Sequence, residues 1–212
     1  MTDVSDPQFW QQIYRGGRAG WDQGRPTPVF ERLLETALPP DAEGPLSDRL
    51  RPGKMVVLGA GRGHDARLFA RAGFTVTAVD FAPDAVRAMH EAQDPQAPIA
   101  ILRADLFDLP ELLKGQFDYV LEYVTYCAID PARRDEYADV VAELLRPGGV
   151  LIAMAFPIEK REGGPPFAVD PNQMIERLEE HGLTLVHRER PAHSIGPRKG
   201  REELLILRKD AG

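Results

Sequence analysis

Cysteine is almost missing from this sequence. Cys127 is the single one in 212 residues, which excludes a disulfide framework and fits a reducing compartment. Basic residues are in deficit, 26 Lys and Arg against 33 Asp and Glu, giving a formal net charge of −7. A surface built to neutralise nucleic-acid phosphates needs the opposite balance, so nucleic acid is not an expected partner. Long apolar runs are lacking too: stretches such as Val150 to Phe156 fall far short of the roughly 20 residues that span a bilayer. The first thirty residues carry Asp3, Asp6, Trp10 and Trp21 where a secretory signal needs a basic start and an apolar core. The expectation is a cytoplasmic chain with no membrane partner. With 43% hydrophobic composition, it is long enough to bury the core of one sizeable domain, 1–212.

What is present alternates between short apolar runs and longer amphipathic segments, the signature of parallel βαβ units. Met55 to Leu58 is continuously apolar, as a strand covered on both faces must be, and runs into Gly59-Ala60-Gly61-Arg62-Gly63. A helix is expected from His64 to Ala72, with Gly73 as its stop, then a strand from Thr75 to Val79 ending at Asp80. Pro83 opens the next helix. Ile99 to Leu102 and Phe117 to Leu121 are expected strands, ending near Asp105 and Glu122. Asp130-Pro131 caps a helix that closes at Arg146-Pro147-Gly148-Gly149, ahead of a fifth strand from Val150 to Phe156. The segment Pro157 to Val169, with Gly163-Gly164-Pro165-Pro166, is too rich in glycine and proline for regular structure and is a candidate lid. Asp170-Pro171 starts a helix to about His181, and Leu183 to Arg190 and Glu203 to Arg208 form a final antiparallel pair. Two helices, Asp6 to Tyr14 and Pro28 to Leu38, flank a glycine-rich stretch and make an N-terminal cap over 1–50, with the core in 51–212. The expected fold is α/β, a Rossmann-like seven-stranded mostly parallel sheet with helices on both faces, an antiparallel C-terminal strand and this helical cap.

The glycine cluster follows a strand and opens a helix, where backbone approaches a nucleotide-like ligand closely; a merely structural turn is the other use of such residues. Asp80, at the end of the second strand, stands where an acid accepts both ribose hydroxyls, or else caps the following helix. Nicotinamide-dependent enzymes share both features. Three details favour S-adenosylmethionine instead. Gly59, Gly61 and Gly63 are followed by His64 and Asp65 rather than by another glycine that makes room for a pyrophosphate. Asp65 brings a negative charge to the helix N-terminus, a poor neighbour for phosphate. Ala104-Asp105-Leu106 supplies an acid where an adenine amino group could be read, though a turn aspartate also explains it.

The segments Trp10, Tyr14, Trp21-Asp22-Gln23-Gly24-Arg25-Pro26-Thr27-Pro28 and Leu58 to Asp65 resemble the thiopurine S-methyltransferase family, particularly its thiol and halide (thiocyanate) methyltransferase branch. Tyr123, Tyr126-Cys127-Ala128-Ile129, Phe156-Pro157-Ile158, Gly163 to Phe167, His193-Ser194-Ile195 and Arg198-Lys199-Gly200 continue the likeness in order. The resemblance implies that Trp10, Tyr14 and Trp21 close over S-adenosylmethionine, although core packing also explains these aromatics. It further implies that Gly59, Gly61, Gly63, Asp80, Phe81, Asp105, Leu106 and Tyr123 line the cofactor pocket. Glu122, Tyr123 and Tyr126 are candidate acceptor-site residues, and Glu122 stands where the branch often has aspartate. Neither a metal nor an obligatory base is expected, because a soft nucleophile needs mainly alignment and a dry cavity. Cys127 is expected to be a small buried residue without catalysis. Arg198 and Lys199 either draw in an anionic acceptor or belong to a solvated loop. The implied activity is methyl transfer to a thiol, thiopurine, thiocyanate or halide. An O- or N-methyltransferase, a non-catalytic cofactor-binding module, and monomeric or homodimeric states all stay open.

Overall fold

The computed structural model describes residues 4–17, 19–38 and 50–211. The expected cap boundary at residue 50 therefore falls beside residues outside the described ones. Two helices precede the sheet, α1 (Pro7–Arg15) and α2 (Pro28–Ala37). Alternation then follows: β1 (Lys54–Leu58), α3 (His64–Arg71), β2 (Thr75–Asp80), α4 (Pro83–Glu91), β3 (Ala100–Arg103), β4 (Phe117–Tyr123), α5 (Arg134–Leu144) and β5 (Leu145–Ala155). The chain closes with α6 (Pro171–Glu180), β6 (Leu183–Glu189) and β7 (Glu203–Lys209).

Helix boundaries follow the local chemistry. Asp6, Asp130 and Asp170 each precede a proline and accept a backbone N–H two residues on, the geometry that satisfies an orphan donor of the first turn. Gly73 and Gly182 have φ of 92° and 80°, the left-handed stop at which a side chain would be strained. Most boundaries lie within three residues of expectation, and the largest departure is at β5. Strand β5 begins at Leu145, paired with Phe117, before Arg146-Pro147-Gly148-Gly149; the register then shifts so that Val150 pairs with Tyr119. The turn is thus carried as an irregularity within the ladder rather than ahead of it.

The seven strands lie in the order β3-β2-β1-β4-β5-β7-β6. All pairs from β3 to β5 are parallel, and β7 is antiparallel to both its neighbours. Strand alternation splits the core in two. Met55, Val57, Leu121 and Ile152 pack with Phe30, Phe69 and Met89 of α2, α3 and α4. Val56, Leu58, Val120 and Leu151 pack with Tyr137, Val141, Met174 and Leu178 of α5 and α6 on the opposite face. Strand order reverses direction between β1 and β4, so the loops leaving them diverge and open a crevice at the carboxyl ends of the parallel strands. Among the described residues no helix is long and apolar enough to cross a membrane.

Candidate active site

The crevice is a cavity of about 810 Å³, walled by residues that follow every parallel strand: Gly59 after β1, Asp80 closing β2, Asp105 after β3, Val124 after β4 and Phe156 after β5. Its size suits a nucleoside-sized ligand together with a small partner.

Asp80 is the charge on one side. Oδ2 accepts from Gly61 N at 2.8 Å and Oδ1 from Ala82 N at 2.9 Å. Burial pushes its carboxyl up to about 6, against the backbone N–H groups that favour the charge. The carboxylate itself borders the cavity. The glycine loop brings backbone close at this point: Gly59 has a φ of 58°, and a Cβ there would run into the Thr125 side chain. Gly61 and Gly63 are not themselves in the wall. Gly61 orients Asp80, and at Gly63 a Cβ would meet Met89 Cγ at 2.8 Å, so these two shape the loop from behind. Asp105 and Leu106 do line the cavity; Asp105 Oδ1 also accepts from Phe107 N at 3.0 Å, so the turn-forming use and the wall position coexist.

The cap supplies the opposite wall. Trp10 and Tyr14, one helical turn apart on α1, both meet Trp21 edge to face, with ring centroids 5.4 and 5.5 Å away. Together with Phe81 they face the cavity. Two carboxylates tie the segment carrying Trp21 to the glycine loop. Asp22 pairs with Arg62 at 2.7 Å and His64 at 3.1 Å, and Asp65 accepts from Thr27 N and Oγ1 at 2.7 and 2.8 Å. The charge of Asp65 is therefore directed at Thr27 and away from the cavity, a different use from the repulsion of phosphate read from the sequence. A third tie comes from the C-terminal side, where Arg198 Nη2 donates to the Trp21 carbonyl at 3.0 Å.

Arg198 is only 5% exposed. Its guanidinium lies over the Tyr123 and Phe156 rings, 4.9 Å from each centroid, and it lines the cavity with Ile195, Pro197, Pro165 and Pro166. Arg198 thus lies in the cavity wall, whereas its neighbour Lys199 is exposed. The Pro157–Val169 segment is fastened to the body, Phe167 N donating to Cys127 O at 2.7 Å and Arg134 to Ala168 O at 2.9 Å.

Three expected site residues lie elsewhere. The hydroxyl of Tyr123 donates to Glu202 Oε2 at 2.7 Å and its ring packs on Phe30; it reaches the cavity through Arg198 stacked on it. Tyr126 turns toward Arg177 and Tyr137. Glu122 is 1% exposed behind the wall, with Oε1 on two backbone N–H groups. Cys127 is buried at the wall, and burial drives its thiol far above its usual range, the state of an inert cysteine. None of the described lining residues is a histidine. Arg133, stacked 3.5 Å from the Phe107 centroid on the Asp105 side of the cavity, has no signal in the sequence beyond its position after Asp130-Pro131.

A family model described as thiopurine S-methyltransferase matches residues 5–207. The chain belongs to this family. Within it, thiocyanate methyltransferase 1 of Arabidopsis thaliana is 33% identical over 199 residues, covering 92% of this chain and 82% of the relative. Thiocyanate methyltransferase 1 of Brassica oleracea is 33% identical over 208 residues, covering 96% and 86%. In fold, the family chain matches the 1,6-didemethyltoxoflavin-N1-methyltransferase of Burkholderia thailandensis, solved with S-adenosylhomocysteine, at a TM-score of 0.69 and 21% identity over 96% of this chain and 87% of that one. A TehB-like methyltransferase from Corynebacterium glutamicum superposes at 0.62 with 16% identity, over 96% and 97%.

Proposed function

We propose that this protein is an S-adenosylmethionine-dependent methyltransferase acting on small soft nucleophiles: a thiol, thiopurine, thiocyanate or halide. The observation that carries this reading is that a single cavity joins the Asp80 carboxylate and an aromatic wall to a cationic end, where the buried Arg198 and the neighbouring Arg201 sit among Phe156, Ile195 and Pro197.

The cofactor fits the groups present. Asp80 accepts from vicinal hydroxyls, Gly59 lets backbone approach, and Trp10, Tyr14 and Trp21 offer aromatic faces to a cation. When bound, S-adenosylmethionine supplies a methyl group on a positively charged sulfur, already activated for in-line displacement. The chain's own residues then align and dry the site. The cap and the Gly163–Pro166 segment exclude water, which strengthens every electrostatic interaction inside. Arg198 draws an anionic acceptor into a cleft walled by Pro165, Pro166, Ile195 and Phe156, with Arg201, paired to Glu159, as a second cation at its edge, where a large polarisable anion loses little hydration. No general base is required: free thiols are a few per cent thiolate at neutral pH, and thiocyanate and halides carry no proton. A hard oxygen or nitrogen acceptor with a proton to lose would find no histidine among the described lining residues. The lone, buried Cys127 fits a reducing cytoplasm, and the activity belongs to one domain, capped by the segment that carries α1 and α2.

The deciding experiment follows formation of S-adenosylhomocysteine with thiocyanate, iodide, thiophenol, 6-mercaptopurine, phenol and an amine. Turnover confined to the soft acceptors is the expected result. Preference for the phenol or the amine would refute the acceptor assignment.

A further inference from the structure

Glu122 looks at first like a general base: it is fully buried, with its carboxyl pushed up to about 7 by that burial, near the range where proton transfer at neutral pH is efficient. Its placement excludes that role, because it does not reach the cavity. Oε1 accepts from Thr125 N at 3.0 Å and from Tyr126 N at 2.8 Å. The groups that face it are Arg134 and Tyr137 from α5 and Cys127 and Tyr126 from its own loop.

The two N–H groups held by Glu122 follow directly on Val124, whose φ of 60° makes it the one non-glycine residue with positive φ among the described residues. A β-branched side chain strongly disfavours that conformation, so the surroundings must impose it. The same turn is pinned from the other side by Thr125 Oγ1, which donates to Leu58 O at 2.9 Å at the end of β1. Thr125 thereby fills the space that Gly59 leaves open. Val124, Thr125, Cys127 and Ala128 all belong to the cavity wall, so the turn is the partition between the glycine loop and the acceptor end.

We propose that Glu122 is a positioning residue, holding the Val124–Tyr126 turn in its left-handed conformation so that this partition stands where methyl transfer needs it. The additional methylene of glutamate over aspartate extends the carboxylate to the backbone of the turn and not to the acceptor. The inference rests on the methyl-transfer reading of the cavity.

A cycle with Val124→Gly tests it, since glycine adopts positive φ freely and frees the turn from its dependence on Glu122. The readouts are kcat and KM for thiocyanate and the Kd of S-adenosylhomocysteine, on variants shown to be folded by circular dichroism. Glu122→Ala is expected to lower kcat/KM more than tenfold in the native background and less than fivefold in the Val124→Gly background. Glu122→Gln, whose amide oxygen still accepts both N–H groups, is expected to lose less than fivefold. A loss below tenfold for Glu122→Ala, an equal loss in both backgrounds, or a greater loss for Glu122→Gln would each overturn the proposal. Glu122→Met, which accepts no hydrogen bond but keeps the volume, replaces Glu122→Ala should the latter not fold. If the native chain methylates none of the acceptors, the functional reading falls separately, and the same ratios measured on the Kd still decide the role of Glu122.

Discussion

Lowering the pH from 8 to 5 is expected to weaken cofactor binding through Asp80. In the free protein this carboxyl is raised from 3.8 to about 6, because burial at the end of β2 disfavours its charge more than the N–H groups of Gly61 and Ala82 favour it. A pair of ribose hydroxyls donating to it favours the ionised form. Binding therefore selects the carboxylate and, below pH 6, releases a proton. The sign follows: affinity is full above about pH 7 and falls as the pH drops through 6. At pH 5 only about one molecule in eleven carries the ionised carboxylate, so the Kd for S-adenosylhomocysteine should rise about tenfold, or about 1.4 kcal/mol. Titration calorimetry at pH 5, 6, 7 and 8, repeated in buffers of different ionisation enthalpy, reads both the affinity and the proton. Asp80→Ala removes the two hydroxyl acceptors and should weaken binding by roughly 2 to 4 kcal/mol, after water compensates in part, while abolishing the pH dependence. A Kd that stays flat across this range in the native protein, or an Asp80→Ala variant that binds as the native chain does, would refute the assignment of Asp80 to the ribose.

Other outcomes follow from other parts of the site. Trp21→Ala should reduce S-adenosylmethionine affinity more than S-adenosylhomocysteine affinity, by roughly twofold to thirtyfold, because only the sulfonium gains the cation–π attraction of about 0.5 to 2 kcal/mol; equal losses by calorimetry would remove that attraction from the argument. Arg198→Met should raise the KM for thiocyanate at least tenfold, since a full charge facing an anion about 4 Å away is worth about 4 kcal/mol even when partly screened, and an unchanged KM in steady-state assays would move the acceptor elsewhere. Glu122→Gln should make the fold more resistant to denaturant at pH 8.5 than at pH 5. The carboxyl is raised from 4.5 to about 7, so the folded state holds a proton that the unfolded chain has lost, stability falls as pH rises between those values, and the full effect above pH 7 is about 3 kcal/mol. Identical unfolding differences at both pH values would show that the buried charge is compensated.

The sequence made the strand ends readable because apolar runs and helix-starting residues bracket them on both sides. Gly59, Asp80 and Asp105 were found this way, and the cavity wall contains all three. The place of Tyr123 follows from the sequence itself: Tyr119, Leu121 and Tyr123 alternate onto the face covered by α2 and α3, so a strand-period argument sends the Tyr123 ring into that layer rather than over the strand end; Tyr126 lies beyond the strand, and its partners Arg177 and Tyr137 come from distant helices that no local pattern indicates. Glu122 was unreadable, since nothing local indicates a valine with positive φ two residues later. Arg198 sits in a polar loop whose composition looks solvated, and its burial depends on Tyr123, Phe156 and Trp21 arriving from three distant parts of the chain. Asp65 was seen as a charge, but its partner Thr27 lies 38 positions earlier, beyond any local pattern.

The three ties of the cap have a common property that bears on turnover. Asp22 with Arg62, Asp65 with Thr27, and Arg198 with the Trp21 carbonyl are all contacts within the protein, so their strength does not change when the methyl group leaves. What changes is the charge facing Trp10, Tyr14 and Trp21. On the proposed placement of the cofactor, the aromatic wall would face a sulfonium before transfer and a neutral thioether afterwards, and that attraction would be lost. Asp22 and Arg62 are partly solvated, 17% and 44% exposed, and such pairs contribute roughly 1 kcal/mol or less, comparable to the attraction lost. The part-buried Asp65–Thr27 and Arg198–Trp21 ties and the packing of Trp10 and Tyr14 on Trp21 add to that pair, so on the proposed reading loss of the sulfonium weakens the hold on the product at the aromatic wall while the cap itself keeps its protein contacts.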